Sequence, residues 1–307
     1  MSTLQLQGQQ LFDNVYQQFS DYQVVQGLAD LFRGLFDLRR AAAADEWREF
    51  AQQTWLAHPL RALAHQDPIT RRAFEKPRGY AGDAELIDMI YGLREMPQTT
   101  DLGAAIYAQM LRAPAAQAVR TRRDHLAARL DEVAAKVERP RILAVACGHL
   151  REAQKSAAVA QRRFGEFIGL DQDPLSIAQL AREQTASGIK AVNGSVKSIL
   201  KGEIVFEDLD FVYSTGLYDY LPQPVAASLT AKLFDMLKPG GALLVANFLP
   251  DVPDVGYMET FAGWPLIYRS AEELADVAQG VAPERIAAQR AYCDAHRNVV
   301  FLELEKR

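Results

Sequence analysis

The chain has 307 residues, 49% of them hydrophobic and 24% charged, with a formal net charge of −5. Those proportions are ordinary for a soluble globular protein and exclude disordered, collagen-like and coiled-coil chains. Residues 1–139 carry 17 basic and 18 acidic side chains, and residues 140–307 carry 17 and 21. Neither half has the basic excess that a phosphate backbone requires, so nucleic acid is not expected as the main substrate. Cys147 and Cys293 make no disulfide framework and have no metal-ligand spacing. His58, His65, His125 and His296 share no spacing with carboxylates or cysteines, so no metal is expected. No stretch approaches the roughly 18 apolar residues of a membrane span. The N-terminal MSTLQLQGQQ lacks the basic and apolar regions of a signal peptide. A cytoplasmic protein, monomer or homodimer, is expected.

From about residue 10 to 139 the apolar spacing is helical. Val24, Leu28, Leu31, Phe32, Leu35 and Phe36 repeat at three and four, which places them on one helix face. Pro114 can open a later helix at its first turn, where the missing N–H costs nothing. Val119, Leu126, Leu130, Val133 and Val137 form its stripe, and Pro140 should stop it at Arg139. The cluster Arg120, Arg122 and Arg123 reads as a solvated face of that helix. Residues 1–139 are therefore expected to be an all-helical cap, interrupted only by a Gly-rich insert at 76–83.

After Pro140 short apolar runs alternate with helical stretches. Runs at 142–146, 166–170, 189–192, 209–213 and 242–248 predict strands in βαβ units around a parallel sheet covered on both faces. Runs at 285–292 and 298–305, joined by a short polar turn, predict an antiparallel hairpin at the end. The expected fold is α/β, a Rossmann-like sheet over 140–307 with an N-terminal helical cap.

The first predicted strand runs into Ala146, Cys147, Gly148 and His149. A glycine at a strand–helix turn allows close approach of backbone to a ligand, at the crevice where open α/β sheets bind nucleotides. The second strand ends at Asp171, 23 positions beyond Gly148, where a carboxylate accepts from adenosine ribose hydroxyls. A dinucleotide site wants G-x-G-x-x-G, yet Leu150 and Ala153 stand where later glycines are needed. An oxidoreductase is weakened accordingly, whereas S-adenosylmethionine, with an adenosine and no pyrophosphate, suits the pattern.

With those signs, Asn193-Gly194-Ser195 after the third strand and Leu237-Lys238-Pro239-Gly240-Gly241 before the fifth, residues 140–307 resemble class I S-adenosylmethionine-dependent methyltransferases. A narrower resemblance covers almost the whole chain. Its carriers are Lys76-Pro77-Arg78-Gly79-Tyr80-Ala81-Gly82-Asp83, Val145 to Glu152, Gly216 to Leu221, and Trp264-Pro265-Leu266-Ile267-Tyr268-Arg269. These resemble the methyltransferases of extracellular factor biosynthesis, the factor being a 3-hydroxypalmitic acid methyl ester.

The resemblance implies that Ala146, Cys147 and Gly148 cradle the methionine part, that Asp171 and Gln172 serve the ribose, and that Asn193, Gly194 and Ser195 lie beside adenine. It implies that Ser214, Thr215, Gly216 and Tyr218 face the sulfonium, while Asp219 reads as a turn cap and Tyr220 as core. The Gly-rich insert is either a surface turn with a helix capped by Asp83 or, as the resemblance favours, a lid. As a lid it brings Arg78 and Tyr80 over the reaction and Asp83 over the cofactor. His149 is either a hydrogen-bonding turn residue or a general base. Arg269 offers a fork for a substrate carboxylate or a surface ion pair with Glu272 or Glu273, and Trp264 and Tyr268 line a pocket beside it or pack in the core.

The expected activity is methyl transfer to a small molecule, first of all to the carboxylate of a fatty or other organic acid. The alternatives are N- or O-methylation of an amino acid or natural-product intermediate, and a non-catalytic cofactor-binding module that docks a protein.

Overall fold

Seven strands form one sheet in the order β3-β2-β1-β4-β5-β7-β6 in the computed structural model, which describes residues 2–307. They are β1 (Arg141–Val145), β2 (Glu166–Asp171), β3 (Lys190–Asn193), β4 (Leu209–Ser214), β5 (Leu237–Phe248), β6 (Ile286–Cys293) and β7 (Val299–Lys306). The first five are parallel, whereas β7 runs antiparallel to β5 and β6 antiparallel to β7. All six residues of β4 and the last four of β1 are buried, as continuous apolar strands must be when helices cover both faces. β6 closes one edge and is largely exposed. The expected Rossmann-like sheet is thus present, and it carries the terminal hairpin.

Two of its details position the site. β1 pairs with both β2 and β4, so connections leave it in opposite directions and open a crevice at its C-terminal end. β5 begins earlier than expected: Leu209 pairs with Leu237 but Phe211 pairs with Ala242, so Pro239-Gly240-Gly241 is an irregularity within the strand. Only glycine fits there easily, since Gly240 has φ 77° and a Cβ on Gly241 would lie 2.6 Å from the Leu209 carbonyl oxygen.

The chain divides into two compact units, but not at residue 139/140. One unit runs to Arg120 and takes in Asp251–Leu266; the other comprises Thr121–Pro250 and Ile267–Arg307. The helical unit recruits 251–266 because that segment is apolar on the faces it presents. Tyr257 and Phe261 stack at 5.3 Å, Phe261 meets Phe12 edge-on, and Gly256 lies so close to Leu35 that a Cβ would come within 2.8 Å. Helices Thr3–Ser20 and Val24–Ala41 supply the other side of this core through Phe12, Leu31 and Leu35. None of the described helices is long and apolar enough to cross a membrane.

The helix Pro114–Lys136 opens at the expected proline and ends three residues before Arg139, which is left-handed at φ 55° ahead of Pro140. The reading of its basic cluster as a solvated face is corrected here. Arg122 is 9% exposed, Arg129 is buried against Glu303 and the Phe211 ring, and Arg120 donates to the Ile90 carbonyl. Arg122 and Arg129 fall in phase with Val119, Leu126 and Val133, so the helix buries them along with its apolar stripe.

Candidate active site

The C-terminal ends of β1, β2 and β4 meet around the turn Ala146–Leu150. Ala146, Gly148 and Leu150 all have φ between 52° and 54°. Left-handed backbone at two non-glycine residues is costly and gathers at ligand sites. Asp171 holds this turn in place: one carboxylate oxygen accepts from the Gly148 N–H at 2.8 Å, the other from the Asp173 N–H at 2.9 Å. Burial raises the Asp171 pKa, against the pull of those two N–H groups. Gly194 N–H donates to the Asp171 carbonyl, and the exposed Asn193 side chain donates to the carbonyls of Asp171 and Gln172. Ser195 caps the helix Val196–Leu200. One compact arrangement thus contains Ala146, Cys147, Gly148, Asp171, Gln172, Asn193, Gly194 and Ser195.

β4 contributes the next layer. Ser214 Oγ donates to the Val145 carbonyl and ties β4 to β1; Thr215 is buried and Gly216 exposed. Glu152, which the sequence did not mark, accepts from the Tyr213 hydroxyl at 2.7 Å, and burial raises both pKa values. The Cys147 thiol is likewise pushed up by burial, so it stays protonated and unreactive at neutral pH.

Arg122, expected on a solvated helix face, is instead buried beside the Gly216 loop. Its buried Nη1 has no hydrogen-bond partner among the described residues. The guanidinium lies 3.9 Å from the Asp219 carboxylate, 5.8 Å from the centre of the Phe248 ring, and 3.8 Å from where a Cβ on Gly216 would sit. Asp219, read as a turn cap, is instead buried: it accepts from the Phe248 N–H at 2.7 Å, and burial pushes its pKa up to about 6. Tyr220, read as core, is 38% exposed.

Three expected roles give way to geometry. Arg269 is 3% exposed and makes no pair with Glu272 or Glu273. Its guanidinium donates to the carbonyls of Tyr218 and Leu221 and to the side chains of Asn247 and Gln223, which leaves no fork for a substrate. Tyr218 sends its hydroxyl to Thr230 in the helix Gln223–Asp235, and burial raises its pKa well above the ordinary value, so it is neither exposed to a sulfonium nor a base. Asp83 is fully buried: it caps the helix Ala84–Ile90 through the Leu86 N–H and pairs with Arg72, so it is held inside the helical unit rather than presented to a cofactor. Arg78 in the same insert pairs with Glu85 at 2.9 Å. Trp264 belongs to the helical unit, whereas Tyr268 and Arg269 belong to the other. His149 is 3% exposed, within the turn after β1.

A family model described as a methyltransferase domain matches residues 142–241. Two solved structures share the fold. One is a possible exported protein from Bordetella parapertussis, 18% identical, with a TM-score of 0.60 over 87% of this chain and 98% of that one. The other is the S-adenosylmethionine-dependent methyltransferase SibL, 15% identical, with a TM-score of 0.51 over 80% of this chain and 73% of that one. No curated protein matches the sequence. Residues 142–241 are similar to a methyltransferase domain, within a Rossmann-like sheet. That match covers about a third of the chain and points to methyl-transfer chemistry in the α/β unit, for which S-adenosylmethionine is the methyl donor to be tested. The residues present suit that group: a strained turn after β1, a buried acid at the end of β2 and a small, exposed Gly216 after β4 stand together at the C-terminal ends of the strands.

Proposed function

We propose that the enzyme transfers methyl to the carboxylate of a small organic acid and forms a methyl ester, with Arg122 as the carboxylate anchor. The single observation that carries this reading is the buried Arg122 guanidinium, whose Nη1 has no hydrogen-bond partner among the described residues and only a long ion pair to Asp219, and which stands next to the Gly216 loop. A buried cation with open donors favours an anionic partner, and the planar fork matches a carboxylate.

In this reading Ala146, Cys147 and Gly148 hold the methionine end of the cofactor, Asp171 the ribose, and Asn193, Gly194 and Ser195 the adenine side. When bound, S-adenosylmethionine supplies a sulfonium methyl that a nucleophile takes by in-line displacement. An acid is already ionised at pH 7, so no residue need remove a proton. Arg122 fixes the carboxylate, and the loop Ser214–Gly216 keeps the approach narrow; alignment of this kind is worth several kcal/mol of barrier. His149 then holds its turn rather than moving a proton. The long-chain 3-hydroxy acid implied by the narrower resemblance is the first substrate to try. Within the helical unit, the insert 78–82 is the lid of this reading, with Gly79, at φ 88° and with open space around it, as its hinge, while Arg78 is paired with Glu85 and Asp83 is fixed.

A second reading, methylation of an amine or hydroxyl, is favoured by Asp219. A buried carboxylate with a pKa of about 6 is suited to accept a proton near neutrality. The test is mass spectrometry of products from methyl-labelled cofactor and a panel of 3-hydroxy acids, their alcohols and amines. Methyl esters formed by wild type and lost in Arg122→Ala support the first reading; methylated amines or ethers, lost in Asp219→Asn, replace it with the second.

A further inference from the structure

The helical unit contains a cavity of about 620 Å³ that none of the chemistry above uses, and every residue lining it belongs to that unit. Its volume falls within the roughly 300–1,000 Å³ of small-molecule sites. The wall is aromatic: Trp47, Trp55 and Phe74 line it, with the Trp55 and Phe74 rings edge-on at 5.7 Å. Trp55 is 1% exposed and its indole N–H is already satisfied by the Ala51 carbonyl, so it offers the cavity an apolar face. The segment Phe50–Thr54 winds as a π-helix, and two of its residues, Ala51 and Gln52, line the cavity. Single π turns are frequent at functional sites.

Charge narrows the occupant. The lining has one acid, Glu259, whose carboxylate takes both the Arg39 guanidinium at 2.9 Å and the Trp47 indole N–H. That acid is therefore neutralised by Arg39. Two further cations remain on the lining. Among the described residues Arg48 has an exposed partner, Asp45, and Lys76, at the left-handed end of the helix Pro68–Glu75, has no ion pair. Exposed pairs such as Arg48–Asp45 are worth little and exchange readily.

We propose that this cavity is a binding site for an amphipathic monocarboxylate, its apolar tail against Trp47, Trp55 and Phe74 and its carboxylate at Lys76 and Arg48. The site is a feature of the helical unit and does not rest on the acceptor chemistry proposed above. Binding there requires neither S-adenosylmethionine nor Arg122.

The experiment uses the full chain without cofactor and titrates it with decanoate, decanol and decylamine below their aggregation concentrations. Tryptophan fluorescence and calorimetry give the readout, since two of the three tryptophans line the cavity. Decanoate is expected to bind about tenfold or more tightly than decanol, with decylamine weakest. Lys76→Glu with Arg48→Glu, at exposed positions, should erase the preference for decanoate and leave decanol unchanged. Ala44→Trp, which narrows the cavity from an exposed position, should weaken both. The proposal fails if folded wild type does not bind decanoate, if decanol binds as well, if charge reversal has no effect, or if Ala44→Trp binds both normally. Loss of decanoate binding in Arg122→Ala would also overturn it, by placing the acid in the other unit.

Discussion

Arg122 Nη1 lies 3.9 Å from Asp219 Oδ2, too far for a hydrogen bond, although both side chains are buried. A buried guanidinium that stops short of its nearest carboxylate has donors to give to a third group. Removing it should cost the enzyme its acid. Arg122→Ala is expected to lower kcat/KM for the acid substrate by about 10- to 100-fold, the worth of one or two charged hydrogen bonds. Arg122→Lys should recover the charge without the fork and so only part of the activity. Steady-state kinetics on folded variants decide it; unchanged kcat/KM in Arg122→Ala removes the anchor.

Arg269 is expected to behave as a structural residue. Its four hydrogen bonds close the loop between β4 and the helix Gln223–Asp235. Arg269→Ala leaves the carbonyls of Tyr218 and Leu221 buried without those donors, at roughly 1–3 kcal/mol for each. Urea unfolding should show a loss of about 2–4 kcal/mol, and Arg269→Lys should recover little because an ammonium cannot reach four acceptors in a plane. Normal stability with a selectively raised KM would instead return Arg269 to the substrate.

Asp254 gives a pH signature. Both of its oxygens face the Ala115 N–H near the start of the helix Pro114–Lys136, and burial pushes its pKa up to about 6. With the folded value above an unfolded value of about 3.9, the folded protein binds the extra proton between those two pH values. This contribution therefore favours folding most below pH 4, and stability falls as pH rises through 6. Asp254→Asn keeps an acceptor and removes the charge. Between pH 4.5 and 7 the difference in unfolding free energy should move in favour of the variant by about 1–3 kcal/mol. A pH-independent difference would mean that Asp254 titrates normally.

The alternation after Pro140 was enough to read the sheet, because strands buried on both faces must be runs of apolar residues and turns between them must be polar. The segment 251–266 was not legible. Val255, Tyr257, Met258 and Phe261 carry a helical stripe, but nothing local to it says that Phe12 and Leu35, more than two hundred positions away, supply its other side. The turn Ala146–Gly148 and Asp171 were legible through one glycine and one acid at strand ends. Arg122 was legible in principle, since it shares its helix phase with Val119 and Leu126, but a charged residue on an apolar stripe was read as exposed. Arg269 shows the converse: its residue type suggested a ligand, while its role depends on the carbonyls of Tyr218 and Leu221, groups that every sequence has.

Asp171 carries the prediction for the cofactor. Its carboxylate already orders the turn after β1 through Gly148 and the start of the next helix through Asp173. Asp171→Ala should weaken S-adenosylmethionine and its demethylated product by about tenfold or more, from lost ribose bonds and from a loosened turn together. Asp171→Asn retains an acceptor for the Gly148 N–H and should fall between the two. Calorimetry that finds unchanged affinity in a folded Asp171→Ala protein removes this residue from the cofactor site.

The insert at 76–83 separates into a fixed and a movable part, which hydrogen exchange can resolve. Asp83 is fully buried, capped onto the Leu86 N–H and paired with Arg72, so the start of the helix Ala84–Ile90 has no freedom to close over anything. Upstream, Gly79 is left-handed with open space around it and Tyr80 is half-buried, so movement of the insert is expected to turn on Gly79, with the Arg78–Glu85 pair and the buried Ala81 to be released. Amides at 78–82 should exchange more slowly when S-adenosylhomocysteine and an acid are both present, while the Leu86 amide should stay protected throughout. Slowing that spreads equally to Leu86 would indicate general stabilisation by ligand, and identical exchange in free and bound protein would make the whole insert an ordinary turn.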